Sequence, residues 1–113
     1  MVFNTKSLLV LAASAFLAPL IAAQTWTATI YEASAGGTSS CTGGGTRFTS
    51  ASFSRGECIT VGLGSNAVGF RLTTNPPSVI TASLFSDNNC GSSIGSSQTN
   101  NCHAGTVNSF IVN

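Results

Sequence analysis

Charge is what this sequence has least of. Across 113 residues, Lys6, Arg47, Arg55 and Arg71 stand against Glu32, Glu57 and Asp87. Lys6 is the only lysine, so from Gln24 onward three arginines face three carboxylates and the net charge is zero. Nothing here forms the basic stripe that nucleic acid or an anionic membrane surface requires. Catalytic equipment is equally thin. There is one histidine, His103, no Gly-x-Ser-x-Gly elbow and no paired-carboxylate motif. Gly62-x-Gly64 follows an apolar stretch, but no third glycine and no helix follow it, which removes a nucleotide-binding reading. The four cysteines contain no CxxC pair, which argues against zinc. No helical periodicity follows Ala23, and no second long apolar run follows the first.

That first run is the one clear targeting signal. Lys6 supplies a positive start, Leu8 to Leu20 is apolar, and Ile21-Ala22-Ala23 offers small residues for cleavage. The run is too short and wrongly flanked for a membrane anchor. Residues 1–23 are therefore expected to be a signal peptide. Residues 24–113 would be a single secreted, extracellular domain with no membrane anchor.

What is abundant is hydroxyl. Serine and threonine make up 28 of the residues from Gln24 to Asn113, so water is held at the surface by neutral polar groups. This points to a neutral glycan, a cell wall or another protein as partner, ahead of nucleic acid. A domain of this size buries a small core and sits near marginal stability. Four cysteines in an exported chain then read as two disulfides.

The chain also repeats itself. Thr27-Ala28-Thr29-Ile30-Tyr31 recurs as Thr81-Ala82-Ser83-Leu84-Phe85. Each copy leads to a cysteine, Cys58 or Cys102, and then to a closing apolar stretch, Val68 to Leu72 or Asn108 to Val112. The chain is read as two β units, 24–74 and 78–113, with Asn75-Pro76-Pro77 as the hinge. Of the three connectivities open to four cysteines, this layout favours local pairs, Cys41–Cys58 and Cys90–Cys102.

Period-two alternation places the inward residues. Trp26, Ala28 and Ile30 share one face of the first strand. Val68, Phe70 and Leu72 point inward from the strand closing the first unit. Ile80, Ala82 and Leu84 repeat the opening pattern, and Phe110 and Val112 close the second unit. Arg47 to Phe53 and Glu57 to Leu63 also read as β. Gly91 to Asn101 is polar and weakly patterned, with Ile94 its only large apolar residue.

This pattern resembles the βγ-crystallin family, whose domains hold two Greek-key units. Each such unit opens with an aromatic, continues through a hairpin containing a second aromatic and a glycine, and closes on a strand with a serine. Tyr31 and Phe85 match the openers. Gly36-Gly37 and Cys90-Gly91 match the glycine region, and Ser109 the closing serine, with Gly69 in its place in the first unit. Gly36 and Cys90 stand where the second aromatic would be. Small secreted fungal proteins of this kind look similar. The resemblance implies an all-β, two-unit Greek-key sandwich. Many members bind calcium, but Gly64 to Gly69 and Ala104 to Ser109, the matching stretches here, contain no carboxylate. Calcium takes several charged oxygens, so no metal or cofactor is expected.

The functional expectation is a non-enzymatic binding, effector-like or structural module. A small antimicrobial or killer-type toxin is the alternative, weakened by the missing cationic patch. A secreted ribonuclease, with His103, Glu57 and an arginine, ranks third. Thr25, Thr27, Thr29 and Tyr31 line the solvated side of the first strand and would suit a glycan or ice. Ordinary β propensity on the solvated side of a strand is the better explanation of so short a row.

Overall fold

The computed structural model describes residues 24–113; the expected signal peptide lies outside them. The described residues form eight strands. They are β1 (Thr25–Glu32), β2 (Gly45–Thr49), β3 (Ile59–Thr60), β4 (Ala67–Asn75), β5 (Thr81–Phe85), β6 (Ser93–Gln98), β7 (Cys102–Ala104) and β8 (Ser109–Val112). Single 3₁₀ turns cover Ala33–Ala35 and Gly64–Asn66. The strands make two antiparallel four-stranded sheets, ordered β2-β1-β4-β7 and β3-β8-β5-β6.

The order has a simple logic. The first sheet takes its first three strands from the N-terminal half and its edge, β7, from the C-terminal half. The second takes β5, β6 and β8 from the C-terminal half and its edge, β3, from the N-terminal half. Each half therefore lends its third strand to the other's sheet.

Alternation explains the core. Trp26, Ala28 and Ile30 of β1, Phe70 and Leu72 of β4, Ala82 and Leu84 of β5, and Phe110 and Val112 of β8 are all buried in one apolar cluster, as expected from their spacing. Phe70 and Phe110 meet edge-on between the sheets, ring centroids 5.2 Å apart, and Phe48 packs on Phe110 at 5.6 Å. Such edge contacts add to what the buried area alone contributes.

Two bulges break the alternation. Tyr31 pairs with Gly69 but Glu32 pairs with Ala67. Val68 is thus the extra residue, and it is only half-buried, while Ala67 takes the core position expected of it. Leu84 pairs with Gly95 but Phe85 pairs with Ser93, which pushes Ile94 outward to 41% exposure. A bulge turns the extra side chain out of the ladder.

The disulfides differ from the expected local pairs. Cys41 joins Cys102, and Cys58 joins Cys90. The cause is the exchange of third strands. Cys102 lies on β7, which sits in the first sheet beside β4; Cys58 immediately precedes β3, which sits in the second. Each hairpin cysteine consequently finds the other half's third-strand cysteine nearest. The two hairpin cysteines are equivalent in backbone geometry too, with left-handed φ of 59° at Cys41 and 57° at Cys90. Cys41, rather than Gly36, thus takes the place of Cys90 in the first unit.

Candidate functional site

The inner faces of both sheets are consumed by the core, so function falls to the outer faces, the loops and the clefts. The first sheet's outer face is the most regular surface. Its ladder turns the single threonine row of β1 into rows that run across strands. Thr27 lies between Thr49 of β2 and Thr73 of β4. Thr29 lies between Arg47 and Arg71, and beyond Arg71 comes Cys102 of β7. Tyr31 lies between Gly45 and Gly69. Opposed residues in a ladder share a face, so these side chains project together.

This face carries no carboxylate: its charged residues are Arg47 and Arg71 alone. Among the described residues, the hydroxyls of Thr27, Thr29 and Thr49 make no hydrogen bond of their own. Thr73 and Thr25 donate to the carbonyls of Thr27 and Asn75, at 3.4 and 3.1 Å. At one end the face is walled. A side chain at Gly69 would meet the Thr38 carbonyl at 3.1 Å, Cys41 Sγ at 3.3 Å and Tyr31 Cδ2 at 3.5 Å. Glycine there lets the Tyr31 ring and the hairpin holding Cys41 close over the sheet.

The second sheet's outer face provides a contrast. Ser83, at the position matching Thr29, is flanked by Ser96 and Ile111. The fold repeats; the arginines do not.

A cleft of about 440 Å³ opens elsewhere, lined by Gly62, Gly64, Ser86, Asp87, Asn88 and Asn108. It brings Asp87 beside the first unit's glycine-rich turn, a meeting that strand exchange creates and the linear sequence conceals. Asp87 is already engaged. Its Oδ1 accepts from the Gly91 and Ser92 amides, each at 3.0 Å. The Ser92 amide is the main reason its carboxyl is held below the ordinary value; partial burial opposes this and the Gly91 amide adds to it. One committed carboxylate does not fit a calcium ion, which wants six or more oxygens, several of them charged. Among the described residues no group of three His, Cys, Asp or Glu side chains comes together.

The ribonuclease constellation is not assembled. His103 pairs with Phe70 at the edge of the first sheet. Glu57 accepts the Ser54 amide at 2.9 Å in the turn before β3, which belongs to the second sheet. Arg55 donates to Gln24. No hydrogen bond or ion pair links these groups among the described residues.

Compared with protein families, curated proteins and solved structures, the chain matches no family model, no curated protein and no solved structure.

Proposed function

We propose that this protein is a secreted, non-enzymatic carbohydrate- or wall-binding module built on two crystallin-like Greek-key units. The carrying observation is the first sheet's outer face: three threonines in one cross-strand row, with Thr29 and Tyr31 beside them and no acid among them. A polysaccharide presents hydroxyls along an extended backbone, and a row in which the Thr27 and Thr49 hydroxyls are unengaged and the Thr73 hydroxyl, donating to the Thr27 carbonyl, can still accept matches it by direct or water-bridged hydrogen bonds. The reciprocal loan of third strands, the matched openers Tyr31 and Phe85, and the buried Ser109 hydroxyl, which accepts the Cys90 amide at 3.0 Å, support the crystallin-like reading. Export is supported by two disulfides, which persist in oxidising compartments.

The test is retention of oxidised protein on insoluble wall polysaccharide. Thr27→Val with Thr73→Val removes two hydroxyls while keeping β-branched shape, and should weaken retention about tenfold, as loss of roughly 1.4 kcal/mol does. Ser83→Val, on the other sheet, should leave retention unchanged. Equal retention of all three proteins would sink the assignment to this face.

A further inference from the structure

Resting on that reading, we infer that the polysaccharide taken by this face is acidic, of the uronic-acid type, and that its carboxylates are bound by Arg47 and Arg71. The linear sequence scatters the arginines; the ladder sets two of them on one row, either side of Thr29. Two strand spacings place their backbones about 10 Å apart. Among the described residues neither forms an ion pair with a carboxylate. Glu32 accepts from the Thr46 hydroxyl at 2.6 Å and from Asn66 Nδ2 at 3.3 Å, Glu57 accepts the Ser54 amide, and Asp87 accepts the Gly91 and Ser92 amides. All three acids are therefore engaged away from this row. Arg71 is also held down. Its Nε is buried and has no hydrogen-bond acceptor, the only such buried side-chain atom among the described residues. A guanidinium whose stem is already packed loses little freedom on binding, and its planar fork matches a carboxylate.

The geometry sets direction as well as charge. The Arg47-Thr29-Arg71 row and the Thr49-Thr27-Thr73 row are parallel neighbours, both running across the strands. A chain of uronate units lying across the sheet would set carboxylates on the first row and hydroxyls on the second. Two cationic points joined by one polymer also gain from multivalency, so a polymer should bind much more tightly than a single uronate. The corresponding row of the second sheet, Ser96-Ser83-Ile111, has the same backbone and no cation. The pair is thus not a by-product of the repeat.

The experiment measures binding of the oxidised protein to polygalacturonate, its methyl-esterified form, a neutral β-glucan, a sulfated polysaccharide and single-stranded nucleic acid. Polygalacturonate should bind best. Esterification, Arg47→Gln or Arg71→Gln should each weaken it about tenfold or more, as loss of a charge-assisted hydrogen bond does. Arg55→Gln, off this face, should not. Arg47→Lys should retain part of the affinity, being charged but without the fork. Arg47 is exposed, so its variants report even if Arg71→Gln folds poorly. Equal binding to the neutral or esterified polymer, insensitive to both arginines, overturns the acidic assignment and leaves the face itself standing. Equal binding to the sulfated polymer or nucleic acid overturns it in favour of unselective attraction to polyanions. Binding to no polysaccharide overturns both readings.

Discussion

Phe110 sits at the centre of the residue-scale account. Its ring contacts Phe48 and Phe70, and all three help join the two sheets. Phe70 and Phe110 are fully buried and occupy matching places in the strands that close each half. Truncating either to alanine should cost about 3–5 kcal/mol, a large share of the roughly 5–15 kcal/mol available to a domain. Arg71 neighbours Phe70 but faces outward, and its buried Nε is unpaired. Arg71→Ala therefore removes an unsatisfied donor along with its packing and should change stability little. Urea midpoints of the three oxidised variants check this. A damaging Arg71→Ala beside a harmless Phe70→Ala would mean that β4 is turned the other way.

At the scale of elements, legibility followed hydrophobic contrast. β1, β4, β5 and β8 announce themselves because one side of each is apolar and buried. β6 and β7 do not. Of β6 only Ser97 is buried, and β7 has no buried residue at all; they are held as edge strands by backbone pairing, which leaves no period in the side chains. The threonine row on β1 was readable, yet its partners on β2 and β4 were not, because register across strands is tertiary information. For the same reason the placing of Arg47 and Arg71 on one row, either side of Thr29, was hidden, as was the meeting of Asp87 with the Gly62–Gly64 turn. The hairpin joining β5 to β6 shows how a polar element is fixed instead. The Asp87 carboxylate accepts two amides of its own turn, and the Ser109 hydroxyl donates to the Asp87 carbonyl. With its folded pKa below the ordinary value of 3.8, Asp87 stabilises the fold fully above that value. The contribution fades as pH falls through the folded pKa. Asp87→Asn should be less stable than the parent at neutral pH, and the gap between their thermal midpoints should close on acidification below 3.8. A gap that widens in acid would contradict the assignment.

For the whole molecule, the organising fact is the loan of third strands. It completes each sheet with a strand from the other half and places β7 beside β4. It also sends both disulfides across the halves, spanning 61 and 32 residues. Repetition in the sequence matched Cys58 with Cys102, whereas the match of Cys41 with Cys90, where Gly36 was expected, shows only in the backbone geometry. Local pairing did not follow, because equivalence constrains which cysteines play the same part, not which of them meet. In the chain-entropy model each bridge contributes about 4 kcal/mol, so the strand exchange is bound up with the stability of the domain. Peptide mapping of the unreduced protein tests this most directly. The account predicts one linked pair containing Cys41 and Cys102 and another containing Cys58 and Cys90; a peptide joining Cys41 to Cys58, or Cys90 to Cys102, would contradict the exchange and the four-stranded sheets that it completes.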